Sequence, residues 1–497
     1  MGQQRGSMSS AVVVGSGFGG LGAAIRLQAR GYRTTVLEMR DQPGGRAYVY
    51  RDKGFTFDAG PTILTAPFLI DELFALAGKK TSDYVEIVPC SPFYRIVFPD
   101  GRTFDYTGNP AEIAAEVAKF SPDDVAGYHA FAAKSEEIFD RAFTDLADVP
   151  FNSFLDMVKV APDLIRLRSH ESVHTLVARH IKHPLLRQVF SFHPLLVGGN
   201  PFASSSIYAM IHHLERKWGV HFAMGGTGAL VAALVRLFEE MGGTFRLNAK
   251  VEELLLKDGR ACGVRLAGGE TVPADVVVSN ADVANFYRKA VPAAARRTWT
   301  DRKLERQKYS MGLVVIYFGT DRTWPELAHH TIVLGPRYKG LLDDIFGKKV
   351  LADDFSLYLH APTRTDPSLA PPGGETFYVL SPVPHLGGNV DWEAKKEAYA
   401  DAILASLETL CPGLRSHIVT KRIVTPADFE RDYDAYLGSA FQFEPLLTQS
   451  AWFRPHNVSE DVPGLYLVGA GTHPGAGVPG VLSSAKVLDR VVPDPIS

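Results

Sequence analysis

The chain has 497 residues, enough for two or three packed units, because a single hydrophobic core stops growing near about 250–300 residues. Its composition is that of an ordinary globular protein, and a formal net charge of -3 excludes an overall signature of nucleic-acid binding. The three cysteines lie far apart and form no CxxC pair, so neither a disulfide framework nor a metal site is predicted, and a reducing cytoplasm fits best. No apolar run reaches the ~18 residues of a membrane-spanning helix, and residues 1–10 have no apolar signal core.

The first predicted unit is a strand, "AVVV", that runs directly into a glycine-rich turn and a helix. Gly15 permits the tight turn, Gly17 lets the backbone approach a pyrophosphate, and Gly20 lets the helix pack closely on the strand. The helix N-terminus supplies free N–H donors, and Gly31 is a suitable helix stop. This unit is typical of a phosphate-binding turn.

A second predicted strand, "TTVLE", ends in Glu38, roughly 20 residues beyond the first glycine, where an acid accepts hydrogen bonds from an adenosine ribose. Together these elements predict dinucleotide binding and leave FAD and NAD open. The next residues, "DQPGGRA", place Gly44 and Gly45 before Arg46. This doublet resembles the flavoproteins that include amine oxidases and carotenoid desaturases, which favours FAD. A surface salt bridge is the alternative role for Arg46.

Further along the chain, 55–80 predict a strand, a Gly-Pro turn and an amphipathic helix, and 84–107 predict a hairpin around "DGR". From about 110 to 240 the pattern is mostly helical, broken at "SPDD", "VPFNS", "APD", "KHP" and "GGNP". Within it, 151–187 mix apolar residues with a surplus of basic over acidic ones. That composition suits a surface lying on anionic lipid, and a solvated helical face is the alternative.

A capped helix is predicted at 225–243, with Thr227 as its N-cap and Gly242 and Gly243 as its stop. Strands that turn at Asp258-Gly259 and Gly268-Gly269 follow, and then a buried run, "VVVSNA". Residues 310–440 predict a mainly antiparallel sheet covered by helices, including one near 393–410. The last stretch is again strand, glycine turn and helix.

That last glycine turn brings Gly469, Gly471, Gly475 and Gly477 together before a helix that begins near Val478. So many glycines permit a flat ring to lie against bare backbone, and the helix N-terminus then stabilises negative charge on a reduced flavin. Gly471 stands where flavoproteins often carry an acid. In the same turn His473 is either a catalytic base or a packing and hydrogen-bonding residue.

Over almost its whole length the sequence resembles the bacterial phytoene desaturases, flavoproteins of carotenoid synthesis. The resemblance lies in long blocks: "VVGSGFGGLGAAIRLQARG", "LEMRDQPGGRAYVY", "GFTFDAGPTILTAP", "SFHPLLVGGNPFASSSIYAMIHHLER", "GGTGALVAALVRLF", "LAHHTIVLGPRYKGL", "DFSLYLHAP", "LTQSAWFRPHN" and "YLVGAGTHPGAGVPGV". It implies successive desaturation of phytoene toward lycopene or a near neighbour, with hydride transfer to flavin N5 and loss of a proton. It also implies FAD as the only redox cofactor and peripheral attachment to the membrane, which we place at its cytoplasmic face.

A C40 hydrocarbon has no polar handle, so its site must be a long apolar tunnel whose affinity comes from buried area. The substrate dissolves in the bilayer, so the entrance should face the membrane, and the helical 110–225 region is its natural place. Oxygen or quinone is the expected electron acceptor. The number of desaturation steps and the oligomeric state stay open.

The predicted fold class is α/β: a Rossmann-type FAD-binding domain of the glutathione-reductase-like flavoprotein superfamily, a mixed α+β substrate domain and a helical membrane-facing region. The FAD-binding domain is assigned to three segments, 11–80, 225–290 and 446–497. The substrate domain is assigned to 81–224, which includes the membrane-facing helices, and to 291–445.

The residues expected to bind FAD, several of them from the resemblance alone, are as follows: Gly15, Gly17, Phe18, Gly19, Gly20, Glu38, Arg40, Gly45, Arg46, Val251, Gly469, Ala470, His473, Pro474, Gly475, Gly477 and Val478. In this family Val251 corresponds to a position whose backbone contacts the adenine. Arg454 and His456 are expected to serve the flavin or the packing of the tunnel.

Asp156 and His473 are the candidate catalytic residues, and no metal site is predicted. Asp156 matches an acidic position of the family considered for acid–base work. Leu155 and Lys159 flank it at positions where arginines occur in relatives, and a helix-surface acid paired with Lys159 or Lys182 is the alternative.

Three other functions are compatible with the sequence: a desaturase of another carotenoid intermediate, an amine oxidase and a non-catalytic isoprenoid carrier. The absence of an aromatic residue between Gly469 and Gly480 argues against the amine oxidase. A carrier would not need Glu38, Arg46 and the last glycine turn together.

Overall fold

The computed structural model describes residues 9–496 of the chain. Its strands are as follows: β1 Ser10–Val14, β2 Arg33–Leu37, β3 Val49–Asp52, β4 Phe55–Asp58, β5 Ile87–Pro89, β6 Tyr94–Val97, β7 Thr103–Tyr106, β8 His221–Ala223, β9 Thr244–Arg246, β10 Val251–Lys257, β11 Arg260–Leu266, β12 Thr271–Pro273, β13 Val276–Ser279, β14 Gly312–Thr320, β15 His330–Val333, β16 Leu357–His360, β17 Glu375–Val383, β18 Ile418–Val424 and β19 Leu465–Leu467.

The helices connect and cover these strands. They are as follows: α1 Phe18–Ala29, α2 Pro67–Ala75, α3 Pro110–Phe120, α4 Val125–Phe139, α5 Phe154–Arg166, α6 Val173–His180, α7 Pro184–Ser191, α8 Met210–Trp218, α9 Thr227–Glu240, α10 Val283–Asn285, α11 Asp301–Glu305, α12 Tyr338–Leu342, α13 Trp392–Leu407, α14 Pro426–Tyr433 and α15 Val478–Val491. Single 3-10 and π turns lie between them. None of the helices within 9–496 is long and apolar enough to cross a membrane.

A five-stranded parallel sheet, in the order β19-β13-β1-β2-β9, carries the first glycine turn. In its centre Val12 pairs with Thr35 of β2 on one side and with Val277 of β13 on the other. Helices α1, α9 and α15 share one buried core with this sheet, and the antiparallel β10–β12 meander contributes to a second core that contains the other faces of β1 and β13. Burial on both faces explains the continuous apolar run of β1. The sheet draws its strands from three separate stretches of the chain.

A seven-stranded sheet, in the order β18-β14-β17-β16-β15-β6-β7, forms the second unit. All its neighbours are antiparallel except β15 and β6. Helix α13 shares a core with one face, where Phe318 and Phe377 stack with their ring centroids 5.0 Å apart. Side chains alternate along β14 and β17, so every second residue lies on the face of the sheet opposite α13. Leu313 and Leu380 lie on that face and line the cavity described below.

Two predictions about helix ends are wrong. The break expected at "APD" does not occur, because Pro162 lies inside α5. The hydrogen bond that a proline removes there is the one to the carbonyl of Val158, a half-exposed residue, so solvent can replace the donor. Thr227 is the first residue of α9 and not its cap. Its hydroxyl donates to the carbonyl of Pro61, and the carboxylate of Asp58 accepts from the backbone N–H groups of Thr227 and Gly228 at 2.8 and 3.2 Å.

Candidate functional site

A large apolar cavity lies between the two sheets, with a volume of about 3080 Å³ that includes its opening to solvent. Its wall is formed at one end by the glycine turns around Gly19, Gly44 and Gly469 and elsewhere by helices α5 and α8 and strands β14 and β17. The predicted FAD-binding residues that line it are Phe18, Gly19, Arg46, Gly469, Ala470, His473, Pro474, Gly477 and Val478. One cavity therefore joins the nucleotide-binding turns to the helical region.

The first glycine turn has the close backbone approach that the sequence predicts. A Cβ on Gly20 would overlap the carbonyl oxygen of Gly15, so only glycine lets α1 pack onto β1 here. Helix α1 begins at Phe18, and its cap residue, Gly17, makes no side-chain hydrogen bond to the first turn. The first N–H groups of α1 therefore have no side-chain cap and fit a phosphate.

Glu38 lies directly beside this turn, at the carboxyl end of β2, and is buried. Its Oε2 accepts from the backbone N–H and the hydroxyl of Ser16 at 2.9 and 2.6 Å, and its Oε1 accepts from the backbone N–H of Arg40 at 2.9 Å. The backbone N–H of Ala249 donates to the carbonyl of Glu38, which brings the segment before Val251 to the same edge of the sheet. The carboxylate is thus held beside the first glycine turn, and its contact with the ribose stays a prediction, as does the adenine contact of Val251.

Arg46 lies in the cavity wall, so the alternative of a surface salt bridge is wrong. Its Nη2 donates weakly to the carbonyl of Ser439 at 3.4 Å, and its buried Nε has no hydrogen-bond partner among the described residues. Burial lowers the pKa of Arg46, and the nearby Asp282 partly opposes this. On the other side of the second turn, the Arg40 guanidinium lies 3.7 Å from the centroid of the Tyr48 ring.

The last glycine turn runs from β19 to α15, and Arg454 lies directly beneath it. A Cβ on Gly475 would come 2.5 Å from Nη1 of Arg454. The arginine is 1% exposed, and of its guanidinium only Nη2 is bonded, donating to the carbonyl of Phe443 at 3.1 Å. Buried donors without partners are costly, so the unpaired Nε and Nη1 fit a ligand that offers acceptors at this turn.

Asn280 is a site residue that the sequence analysis missed. It follows β13 and lines the cavity, and its side-chain amide lies within 3 Å of where a Cβ would stand on Gly17, Gly19 or Gly469. It therefore fills the space between the first and last glycine turns. Its position at the end of a buried strand of the parallel sheet is the sequence signal that could have identified it.

His473 links the last glycine turn to the helical region. It is buried, its Nε2 donates to the carbonyl of Leu146 at 3.0 Å, and its ring meets Phe151 edge-on at 4.8 Å. Burial lowers its pKa to about 4, so the ring is neutral at pH 7. These contacts fit the packing and hydrogen-bonding interpretation, although the ring also lines the cavity. His456 is buried nearby, with its Nε2 3.0 Å from the carbonyl of Trp452.

Asp156 is not among the residues that line the cavity, unlike its neighbours Met157 and Val160. Its carboxylate accepts from the backbone N–H and the hydroxyl of Ser153, both at 3.0 Å, and so forms a capping box at the start of α5. Lys159 pairs with it at 3.3 Å, as in the alternative interpretation. The structure therefore corrects the catalytic prediction: it places Asp156 outside the cavity as a helix-capping residue.

The cysteines were predicted to have no metal partners, yet Cys90 lies in a buried cluster with His329 and His330, whose possible ligand atoms are all within 4.8 Å of one another. Burial lowers the pKa of His329 to about 3, and Nδ1 of His330 lies 2.7 Å from the hydroxyl of Tyr358. These contacts fit neutral, hydrogen-bonded rings behind the cavity wall.

Comparison with known proteins agrees with this geometry. The family model for flavin containing amine oxidoreductases matches residues 18–487. A phytoene desaturase (lycopene-forming) of Pseudescherichia vulneris is 55% identical over 96% of this chain and 98% of its own length. A second protein of that name, from a Paracoccus strain, is 52% identical over 97% of both chains. The solved cyclohexylamine oxidase from Brevibacterium oxydans shares the fold, with a TM-score of 0.63, 14% identity and coverage of 97% of this chain and 98% of that one.

The family match and the dinucleotide-binding turn together identify the cofactor as FAD. The free N–H groups of α1, the carboxylate of Glu38 and the unpaired donors of Arg454 have the chemistry that its pyrophosphate, ribose and ring require, and these three contacts stay predictions. The chain belongs to the flavin containing amine oxidoreductases.

Proposed function

We propose that this protein is an FAD-dependent phytoene desaturase that forms lycopene by successive dehydrogenations. The observation that carries the proposal is the continuous apolar cavity that begins at the flavin-binding turns. Two relatives that carry the name phytoene desaturase (lycopene-forming) are more than 50% identical to the chain over nearly its whole length, which supports the same substrate.

The lining of the cavity suits a hydrocarbon. Away from the glycine turns it consists largely of apolar side chains such as Leu164, Leu195, Ile211, Leu334 and Leu380. A polyene without polar groups gains affinity there from buried area, at roughly 25 cal/mol per Å². An amine substrate would find two carboxylates on the described part of this surface, Asp163 and Glu215, and Asp163 is already paired with Arg141.

When bound, FAD supplies a two-electron acceptor for the hydride that leaves the substrate. The chain's own residues prepare that site. Helix α15 begins at Val478 without a side-chain cap, so its free N–H groups favour negative charge on the ring. Arg454 adds a buried positive charge at the same turn, and His473 fixes the turn to the carbonyl of Leu146.

Helix α5 supports peripheral attachment to a membrane, and we place this attachment at the cytoplasmic face. Four of its apolar side chains are more than half exposed, and we call them the α5 patch: Phe154, Leu155, Val158 and Ile165. On the same helix Met157, Val160 and Leu164 line the cavity. The helix therefore has apolar surface both outside and inside, as expected of the entrance for a substrate that comes from the bilayer.

The proposed activity is tested by pigment formation in a bacterial host that accumulates phytoene. Expression of the chain should convert phytoene into a red pigment that co-elutes with lycopene, and the Gly20→Ala variant should leave phytoene unchanged. Unchanged phytoene in cells that contain the FAD-loaded wild-type protein would overturn the proposal. Washed membranes assayed with oxygen alone or with a quinone alone identify the terminal acceptor, which we propose to be one of these two.

A further inference from the structure

A buried carboxylate lies in the cavity wall at a point that no role above explains. Glu215, on α8, has none of its surface exposed to solvent and lines the cavity. Its Oε1 accepts from the hydroxyl of Tyr94 at 2.6 Å, and its Oε2 lies 3.2 Å from Nε2 of His193. Each oxygen has one donor only, so each keeps a free lone pair.

Glu215 differs from the other acid in the described cavity wall. That acid, Asp163, is paired with Arg141 at 2.7 Å and also with Arg166. Among the described residues no lysine or arginine forms an ion pair with Glu215. The one basic side chain beside its carboxylate is the imidazole of His193. Because a buried carboxylate without a lysine or arginine partner is costly, a purely structural role would be better served by a neutral side chain.

Two chain segments connect Glu215 to the flavin-binding turn. His193 begins a 3-10 helix that ends at Val197, whose Cγ1 is 3.2 Å from where a Cβ on Gly477 would stand. At a rise of roughly 2 Å per residue, that helix spans about 8 Å from His193 to Val197. Tyr208, two residues before α8, has its hydroxyl 3.9 Å from the Cβ position of Gly475.

We propose that Glu215 is the base that accepts the substrate proton in each desaturation, a role that rests on the function proposed above. One C–H bond of the substrate would break and its electron pair would leave as hydride, for which FAD, when bound, would supply the acceptor. The C–H bond on the adjacent carbon breaks, its proton goes to an oxygen of Glu215, and its electron pair forms the new C=C bond. The hydride and the proton together amount to two electrons and two protons, which reduce the terminal acceptor, oxygen or quinone. Glu215 gives up its proton in this reduction and is a carboxylate again.

The direct test compares the rate of the FAD-loaded full chain in phytoene liposomes with that of two variants. Glu215→Gln keeps the size of the side chain and removes the base, so the rate should fall by about 10²–10⁴-fold, the usual contribution of a positioned base. Glu375→Gln is the control for the loss of a buried carboxylate outside the cavity. Glu375 is also fully buried, pairs with Arg364 at 2.6 Å and accepts from the backbone N–H of Trp324 at 2.8 Å. It does not line the cavity, so the rate should stay at the wild-type level.

Three further measurements separate a base from a structural residue. Flavin content and thermal midpoint should change no more in Glu215→Gln than in Glu375→Gln. Formate should restore part of the rate of Glu215→Ala, because a small carboxylate can enter the space that the substitution opens. A wild-type rate for Glu215→Gln, or failure of formate in a flavin-loaded Glu215→Ala, would overturn the inference alone. A wild-type protein that loads FAD and never oxidises phytoene would overturn the proposed function instead.

Discussion

The exposed fractions of the side chains in the α5 patch predict how much a substitution there should weaken membrane binding. Leu155 and Ile165 are 67% and 72% exposed, and they lie ten residues apart on one helix, about 15 Å along its axis. We consider the double variant Leu155→Gln/Ile165→Gln. At this distance the effects of the two substitutions on membrane binding should be nearly additive.

Complete burial of a leucine or isoleucine stabilises by about 1.5–3 kcal/mol, so two side chains exposed by about two thirds contribute about 2–4 kcal/mol on entering lipid. A change of 1.4 kcal/mol is a factor of ten in an equilibrium constant. The double variant should therefore partition into vesicles at least about 30-fold less than the wild type.

The assay is co-sedimentation of the FAD-loaded protein with anionic liposomes over a series of lipid concentrations. The control is Leu247→Gln/Val419→Gln, because these side chains are 38% exposed and lie far from α5 in sequence, just after β9 and in β18. The control should bind as the wild type does. Equal partitioning of wild type and double variant would refute the membrane-facing role of α5.

The remaining predictions concern the flavin site. Gly20→Ala should abolish flavin retention, measured by absorbance after gel filtration, because its Cβ would overlap the carbonyl of Gly15. Gly347→Ala is the control and should retain flavin, because a Cβ there meets nothing within 4 Å. Retention of flavin by both variants would refute this reasoning. Glu38→Gln should weaken FAD binding by about 10–100-fold in a fluorescence titration, because an amide replaces an acceptor for charge-assisted hydrogen bonds of about 1.5–3 kcal/mol. Burial lowers the pKa of His473 in the folded state to about 4. Between pH 6.5 and pH 4 the histidine is therefore protonated in the unfolded state and neutral in the folded state, so the free energy of unfolding falls as the pH falls. In urea titrations, the free energy of unfolding should fall between pH 7 and pH 5 in the wild type, and this fall should be about 2 kcal/mol smaller in His473→Asn. Equal falls in the two proteins would contradict the lowered pKa of His473.

The nucleotide-binding part of the fold could be predicted because its signals are local. The strand β1, the glycine turn and helix α1 are contiguous, and the chemistry of the turn requires glycine at Gly15 and Gly20. The return of the chain to this sheet at β13 and β19 was also predictable, since both are short buried runs followed by the pattern of a glycine or asparagine turn. The family and the cofactor inferred from these motifs are confirmed.

The candidate site was harder to predict because its other contacts join distant parts of the chain. Glu215 meets Tyr94 from β6 and His193 from the turn after α7, and no spacing rule connects these three residues. Asn280 could be placed only once the order of the parallel strands was known. Asp156 is a different case. Ser153 stands three residues before it, and this spacing is a local signal of a helix cap that the sequence analysis did not use.

The most direct test of the account is an anaerobic titration of the FAD-loaded protein with phytoene incorporated in liposomes, followed by visible absorbance. We predict that the flavin bands bleach in proportion to the phytoene desaturated, while the absorbance of a lengthening conjugated polyene appears at the same rate. A flavin that stays oxidised in the presence of intact phytoene would contradict the account, as would a protein that binds a nicotinamide nucleotide in place of FAD.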